Sequence, residues 1–227
     1  MAIVTTENLC KEYLQGALSV PALRGINLTI EPGEFTALMG PSGSGKTTLL
    51  NIVGGLDAPT SGRVVVDGVD LARASAAERS KLRLNRLGFV FQAYNLIPVL
   101  SAYENAEFVL LLQGKSVAER KQVVLEMLEE VGLQGLGDRR PNELSGGQQQ
   151  RVAVARAIAS QPALVLADEP TANLDSKTGH ELIDTMAHLN QEHGVTFVFA
   201  THDPKVLEHA RRVVQLVDGE IAEDIRR

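Results

Sequence analysis

The nine residues Gly40-Pro41-Ser42-Gly43-Ser44-Gly45-Lys46-Thr47-Thr48 carry the strongest chemistry in the chain. They fit the pattern G-x-x-x-x-G-K-[ST], set between a short apolar run at Glu34–Met39 and a helix expected over Lys46–Val53. In such a turn, main-chain N–H groups can close around phosphate oxygens because no side chains intrude. The start of the following helix adds partial positive charge. Lys46 can neutralise β- and γ-phosphate oxygens, and the Thr47 hydroxyl can ligate Mg²⁺. The alternative is a flexible Gly/Ser loop. The strand–loop–helix context and the Gly-Lys-Thr ending argue against it.

Two further clusters bear on the same chemistry. In Leu164-Val-Leu-Ala-Asp168-Glu169 an apolar strand delivers carboxylates at its C-terminal end, where open α/β sheets bind ligands. Asp168 is placed to hold Mg²⁺, and Glu169 to polarise an attacking water as general base. Taken alone, the pair reads as an exposed acidic turn stopped by Pro170; the phosphate loop upstream favours the metal-and-base reading. The third cluster is Leu144-Ser145-Gly146-Gly147-Gln148, followed by Gln149-Gln-Arg151. It opens a helix expected to run to about Ser160 and offers a second anion-accepting helix start. The alternative is a capped helix whose glycines permit close packing.

These clusters need elements to hold them. Ala2–Leu9 and Leu23–Ile30 read as strands flanking a loop, and Arg63–Asp67 as a β-branched strand ending at Gly68. Ser75–Glu78, Ser101–Glu104 and Ser116–Glu119 carry the Ser-x-x-Glu capping signature of helix starts. After Ser116, apolar residues at Val117, Val124, Met127, Leu128 and Val131 keep helical spacing. Helix therefore dominates residues 95–160. A helix from Ser176 and strands at Val195–Ala200 and Val213–Val217 follow, with a turn at Gly219. Strand–helix alternation at both ends predicts an α/β core with parallel strands and an inserted helical portion.

Composition bounds the partners. The 227 residues carry a formal net charge of -6, which argues against nucleic acid as the main partner, since such affinity rests on clustered Lys and Arg. The pairs Arg139–Arg140, Arg211–Arg212 and Arg226–Arg227 read as solvated surface. Cys10 is the one cysteine, so no internal disulfide is expected, and it reads as packing. Met1–Glu7 has neither a basic nor a long apolar stretch, which predicts no signal peptide. No apolar run approaches the ~18–20 residues that cross a bilayer.

With these residues in order, the chain resembles the nucleotide-binding subunit of ABC transporters over nearly its full length. The phosphate loop at 40–48 matches Walker A, 144–148 the signature motif, and 164–169 Walker B with its glutamate. The resemblance implies a single ABC ATPase domain over 1–227, of the P-loop NTPase α/β fold. Within it, 1–94 and 161–227 would form a RecA-like nucleotide-binding core with an antiparallel β subdomain. Residues 95–160 would form an inserted α-helical subdomain carrying the signature motif. It implies ATP and Mg²⁺ as cofactors, an integral membrane permease as partner, and no nucleic acid. It also implies a head-to-tail dimer in which Ser145, Gly146, Gly147 and Gln148 serve the partner subunit's nucleotide. Gln92, after Gly88-Phe-Val-Phe91, matches the Q-loop that contacts Mg²⁺ and the attacking water; by itself it reads as a surface amide. His202 matches the switch histidine on the γ-phosphate, and Lys46, Gln92, Glu169 and His202 form the implied catalytic set. His180, His188, His193 and His209 have no such placement and read as surface. Asp175, in Asn173-Leu174-Asp175, matches the D-loop at the dimer seam, with the N-cap of the next helix as its alternative. Tyr13 matches the aromatic that stacks on adenine, with core or surface packing as its alternative. The implied location is the cytoplasm, peripheral on the inner face of the membrane.

A narrower likeness lies in Gly54-Gly55-Leu-Asp57-Ala-Pro-Thr-Ser-Gly62, in Gly88–Gln92 and in Ala167–Asp175. These are similar to the lipoprotein-release, macrolide-export and cell-division group (LolD, MacB and FtsE types), which implies extrusion or mechanotransmission, with an FtsE-like role as the alternative. Thr47 stands where serine is usual and keeps the hydroxyl. Ala172 stands where glycine is usual. A soluble ABC ATPase acting on DNA or ribosomes, a P-loop kinase and a non-hydrolysing scaffold are the rival classes. The first fits an acidic single cassette poorly, and the others leave residues 144–148 unused.

Overall fold

The computed structural model describes residues 1–16 and 18–227. The chain opens with long antiparallel strands β1 (Val4–Gln15) and β2 (Leu18–Ile30), then β3 (Phe35–Met39) and helix α1 (Lys46–Val53). There follow β4 (Ser61–Val66), β5 (Val69–Asp70), α2 (Ala76–Arg86), β6 (Leu87–Phe91), α3 (Ala102–Leu112) and α4 (Val117–Glu130). A 3₁₀ turn at Pro141–Glu143 precedes α5 (Gly146–Ile158), β7 (Leu164–Asp168), α6 (Ser176–His193) and β8 (Thr196–Ala200). The chain closes with α7 (Pro204–His209), β9 (Arg212–Val217) and β10 (Glu220–Arg226).

Strands β2-β1-β4-β5 form an antiparallel sheet, and β10-β9-β3-β8-β7-β6 a second one. In the second, β9, β3, β8, β7 and β6 run parallel, and only β10 is antiparallel. Parallel strands are covered on both faces, so they read as unbroken apolar runs, and β8 is buried at every position. Period-two alternation assigns the two faces. Ala37, Val165, Ala167, Phe197 and Phe199 join one core with α3, α4, α5 and α6. Leu38, Leu164, Leu166, Val198 and Ala200 join the other with α1 and the antiparallel sheet. Phe35 and Phe199 meet at 4.5 Å in the first core. The helical stretch 95–160 therefore closes one face of the sheet, and its apolar core is continuous with that face.

All three capping boxes form. Ser75, Ser101 and Ser116 each accept the N–H of the glutamate three residues on, which returns a bond to the serine N–H. Strand β6 was not legible because it follows α2 with no Gly or Pro between them; the backbone turns extended at Leu87. Strand β10 is largely exposed and polar, held by pairing with β9, and α7 is too short for a periodic signal.

One expectation is corrected. Arg212 is not solvated surface: it is 5% exposed and bound to Asp224 at 2.8 and 2.7 Å and to Glu34 at 3.0 Å. Pairing of β10 on β9 brings Asp224 to it, which local sequence does not reveal. Cys10 is half-buried, and its sulfur accepts the Gly25 N–H at 3.2 Å. Among the described residues, no helix is long and apolar enough to cross a membrane.

Candidate nucleotide site

Four loops leave the carboxyl ends of parallel strands side by side: 40–45 after β3, Gln92 after β6, Glu169 after β7 and Thr201–His202 after β8. They line one cavity of about 630 Å³, with Gly40, Pro41, Ser42, Gly43, Gly45, Lys46, Thr47, Thr48, Gln92, Glu169 and His202 on its wall. Ser44 lies buried beneath the loop, and its hydroxyl has no partner. Gly40 has φ 155°, and a Cβ there would stand 2.1 Å from the Leu216 carbonyl oxygen. The loop can take this path only with glycine at that position. Helix α1 starts at Gly45 with no side-chain cap, leaving its first N–H groups free to meet an anion in the cavity. Lys46 Nζ donates to the Gly40 and Pro41 carbonyls at 2.7 and 3.0 Å, which holds its charge over the loop.

Beside the loop, Thr47 Oγ1 donates to Asp168 Oδ1 at 3.1 Å. Burial raises the Asp168 pKa above its ordinary value, the neighbouring Glu169 charge adds to this, and Thr47 and Lys46 oppose it. A cation here would offset that unfavourable desolvation. The hydroxyl–carboxylate pair is a hard-oxygen set that suits Mg²⁺. Among the described residues, no three His, Cys, Asp or Glu side chains cluster as a self-sufficient metal site, so Mg²⁺ would depend on phosphate oxygens and water as well.

Glu169 adopts φ 46°, which is uncommon for a side chain of its length. Its N–H donates to the Ala200 carbonyl at 2.8 Å, pinning it across the sheet end. One carboxylate oxygen meets His202 Nδ1 at 2.8 Å, and the other accepts from Thr201 Oγ1 at 3.3 Å. Strained main chain held by its surroundings is a recurrent mark of functional positions. The His202 side chain is 77% exposed, so its other nitrogen is accessible from the cavity.

The other expected site residues lie off the cavity wall. The Tyr13 hydroxyl donates to Asp57 Oδ2 at 2.8 Å, and Lys11 Nζ sits 4.8 Å from its ring centre. Burial, and then the nearby Asp57, raises the Tyr13 pKa, opposed by a bond with Thr48 of the phosphate loop. Asp175 caps α6, accepting from the N–H groups of Lys177 and Thr178 at 3.0 Å each. Ser145 caps α5 in a capping box with Gln148. A Cβ on Gly147 would meet Thr178 Cγ2 at 2.3 Å, so this glycine permits α5 to approach α6. The alternatives raised for Asp175 and for the glycine pair thus have a geometric basis.

Sequence reasoning missed several supporting groups. Thr201 orients Glu169, Asp57 and Lys11 hold Tyr13, and Asn173 Nδ2 donates to the Gln92 carbonyl at 2.9 Å. Asp57 and Asn173 lie within the 54–62 and 167–175 stretches, but their partners are 44 and 81 residues away.

The ABC transporter family model matches residues 23–172. The macrolide export ATP-binding/permease protein MacB of Syntrophobacter fumaroxidans is 47% identical over 223 residues, 97% of this chain and 31% of that protein. The chain thus spans about a third of the length of such macrolide-export relatives. The lipoprotein-releasing system ATP-binding protein LolD of Anaeromyxobacter dehalogenans is 46% identical over 94% of this chain and 90% of its own. A solved structure of the ATP-binding cassette MJ0796, a protein of Methanocaldococcus jannaschii, is dimeric, in a post-hydrolysis state with ADP and Pi. It matches with a TM-score of 0.91 at 44% identity, covering 98% of each chain.

Proposed function

The chain belongs to the ABC transporter family, and from that premise we propose that it is the Mg²⁺-dependent ATPase subunit driving a membrane permease of the lipoprotein-release and macrolide-export type. The observation that carries this reading is the one cavity walled by a phosphate loop, Lys46, Thr47, Glu169 and His202, with Asp168 bonded to Thr47 at its edge.

Each group has a task set by its chemistry. Loop amides from Gly40 to Thr48 and the start of α1 cradle the phosphates. Lys46 leaves the Gly40 and Pro41 carbonyls for the β- and γ-phosphate oxygens. Thr47 and Asp168 would hold Mg²⁺, with Gln92 lining the same cavity, and such an ion would withdraw charge from the phosphate oxygens. Glu169 takes a proton from the attacking water as general base. His202, bonded through Nδ1 to Glu169, orients that carboxylate and presents its other ring nitrogen toward the γ-phosphate. Most of the rate comes from this fixed arrangement of charge and position rather than from covalent chemistry. Tyr13 supplies a π-face for adenine beside Thr48.

ATP closes two copies head to tail, with Ser145–Gln148 and Asp175 of each facing the other's nucleotide. Hydrolysis reopens the pair, and the stroke passes to the permease. The subunit works at the cytoplasmic face of the membrane, attached through that partner. The deciding experiment measures phosphate release from Mg-ATP with no acceptor present, with and without the co-expressed permease. Release that requires Mg²⁺ and rises with the permease supports the proposal. No nucleotide binding and no release in either condition would overturn it.

A further inference from the structure

Gln150 lies just over one turn into α5 and is fully buried. Its Nε2 donates to the Phe91 carbonyl at 3.2 Å and to the Pro170 carbonyl at 2.7 Å. Those carbonyls belong to the residue immediately before Gln92 and the residue immediately after Glu169. The amide cannot be turned over, because its oxygen would then face two carbonyl oxygens. Its Oε1 has no partner, a condition shared among the described residues only by Ser44 Oγ in the phosphate loop. A buried orphan acceptor is unfavourable, so packing alone would be better served by an apolar side chain of the same length.

The stretch after Phe91 is gripped further along. Asn173 Nδ2 holds the Gln92 carbonyl at 2.9 Å, and Arg156 holds those of Tyr94 and Asn95 at 3.0 and 2.6 Å. Carbonyls 91, 92, 94 and 95 are therefore each held by a side chain. Two of the three side chains, Gln150 and Arg156, come from α5. Gln150 alone also reaches the far side of Glu169.

We infer that Gln150 is a positioning residue for hydrolysis. By holding the main chain at Phe91 and at Pro170 it sets where Gln92 and Glu169 stand. It also ties both to the helix that begins with Ser145–Gln148. The inference rests on the proposed roles of Gln92 and Glu169. Gln150 touches no substrate and makes no bond to the phosphate loop, which β3 and α1 carry. Its loss therefore moves catalytic groups without disturbing the cradle.

The test compares wild type with Gln150→Met, which keeps length and shape but has no donor, and with Glu169→Gln as control. Affinity of the chain for Mg-ATP is read by equilibrium titration, kcat by phosphate release at saturating nucleotide, and folding by thermal unfolding. Affinity within twofold of wild type is expected, with kcat lower by about 10- to 100-fold, the scale of a displacement near 1 Å. A purely packing role would lower Tm and leave kcat unchanged below the transition. Wild-type kcat in folded Gln150→Met, with Glu169→Gln inactive, overturns the inference. Wild-type kcat in Glu169→Gln instead overturns the underlying site reading. If Gln150→Met does not fold, Gln150→Glu repeats the measurement with the shape kept and one donor present only in the neutral acid. Failure of both to fold makes Gln150 a folding determinant and refutes the assignment.

Discussion

Replacing Glu169 by glutamine removes a base while disturbing almost nothing else. Both carboxylate oxygens are engaged, one with His202 Nδ1 at 2.8 Å and one with Thr201 Oγ1 at 3.3 Å. Glutamine keeps one acceptor for the Thr201 hydroxyl, and its NH₂ can face the imidazole nitrogen in the acceptor tautomer. The left-handed backbone at φ 46° and the bond to the Ala200 carbonyl do not involve the side chain and persist. What disappears is the capacity to accept a proton from water. A positioned general base contributes about 10²- to 10⁴-fold, or about 2.7–5.4 kcal/mol at 1.36 kcal/mol per decade. The upper part of that range is expected here, because Glu169 is the one carboxylate among the residues described as lining the cavity. Nucleotide affinity should stay within a few-fold, since the cradle and Lys46 are untouched. The assay pairs phosphate release at saturating Mg-ATP with equilibrium binding of a fluorescent ATP analogue. Turnover within fivefold of wild type would refute Glu169 as the base.

Three other changes test separate links. Gly40→Ala forces a Cβ against the Leu216 carbonyl at 2.1 Å in a left-handed backbone, and that strain, of order 1–3 kcal/mol or more, should weaken ATP binding by about fivefold or more in calorimetric titration. Tyr13→Ala should weaken ATP by about 1–3 kcal/mol, as loss of a base stack does, and leave inorganic triphosphate affinity unchanged; equal effects on both ligands would remove Tyr13 from the base. Arg212→Met strips Asp224 and Glu34 of their buried cation, and because Asp224 is 38% exposed in its side chain the cost is set at about 2–3 kcal/mol, or roughly 5–10 °C in Tm. The Arg212 bond depresses the Asp224 pKa, so its stabilisation is present above the unfolded carboxylate pKa and lost as pH falls through the folded one. The Tm gap between wild type and Arg212→Met should therefore hold near pH 7 and narrow at acidic pH.

Residues 40–48 were legible because a phosphate loop is a contiguous device, and glycine spacing, lysine and hydroxyl follow one another within a single turn. The Ser-x-x-Glu starts were legible for the same reason, since each capping box closes over four residues. Apolar run lengths predicted the parallel strands β3, β7 and β8, where burial on both faces removes any alternation of polarity. None of this local information says which strands are neighbours. The order β9-β3-β8-β7-β6 is what brings Gly40, Gln92, Glu169 and His202 to one sheet end. It arises from covering both faces of the sheet at once, a requirement summed over the whole chain. The same global pairing buries Arg212, bends Glu169 into a left-handed backbone beside Ala200, and aims Gln150 at carbonyls 59 and 20 residues away. Chemistry written in adjacent residues is determined by the sequence itself. Chemistry assembled across distant residues is decided only by the tertiary structure, because hydrogen bonds and burial act through space while periodicity and capping act along the chain.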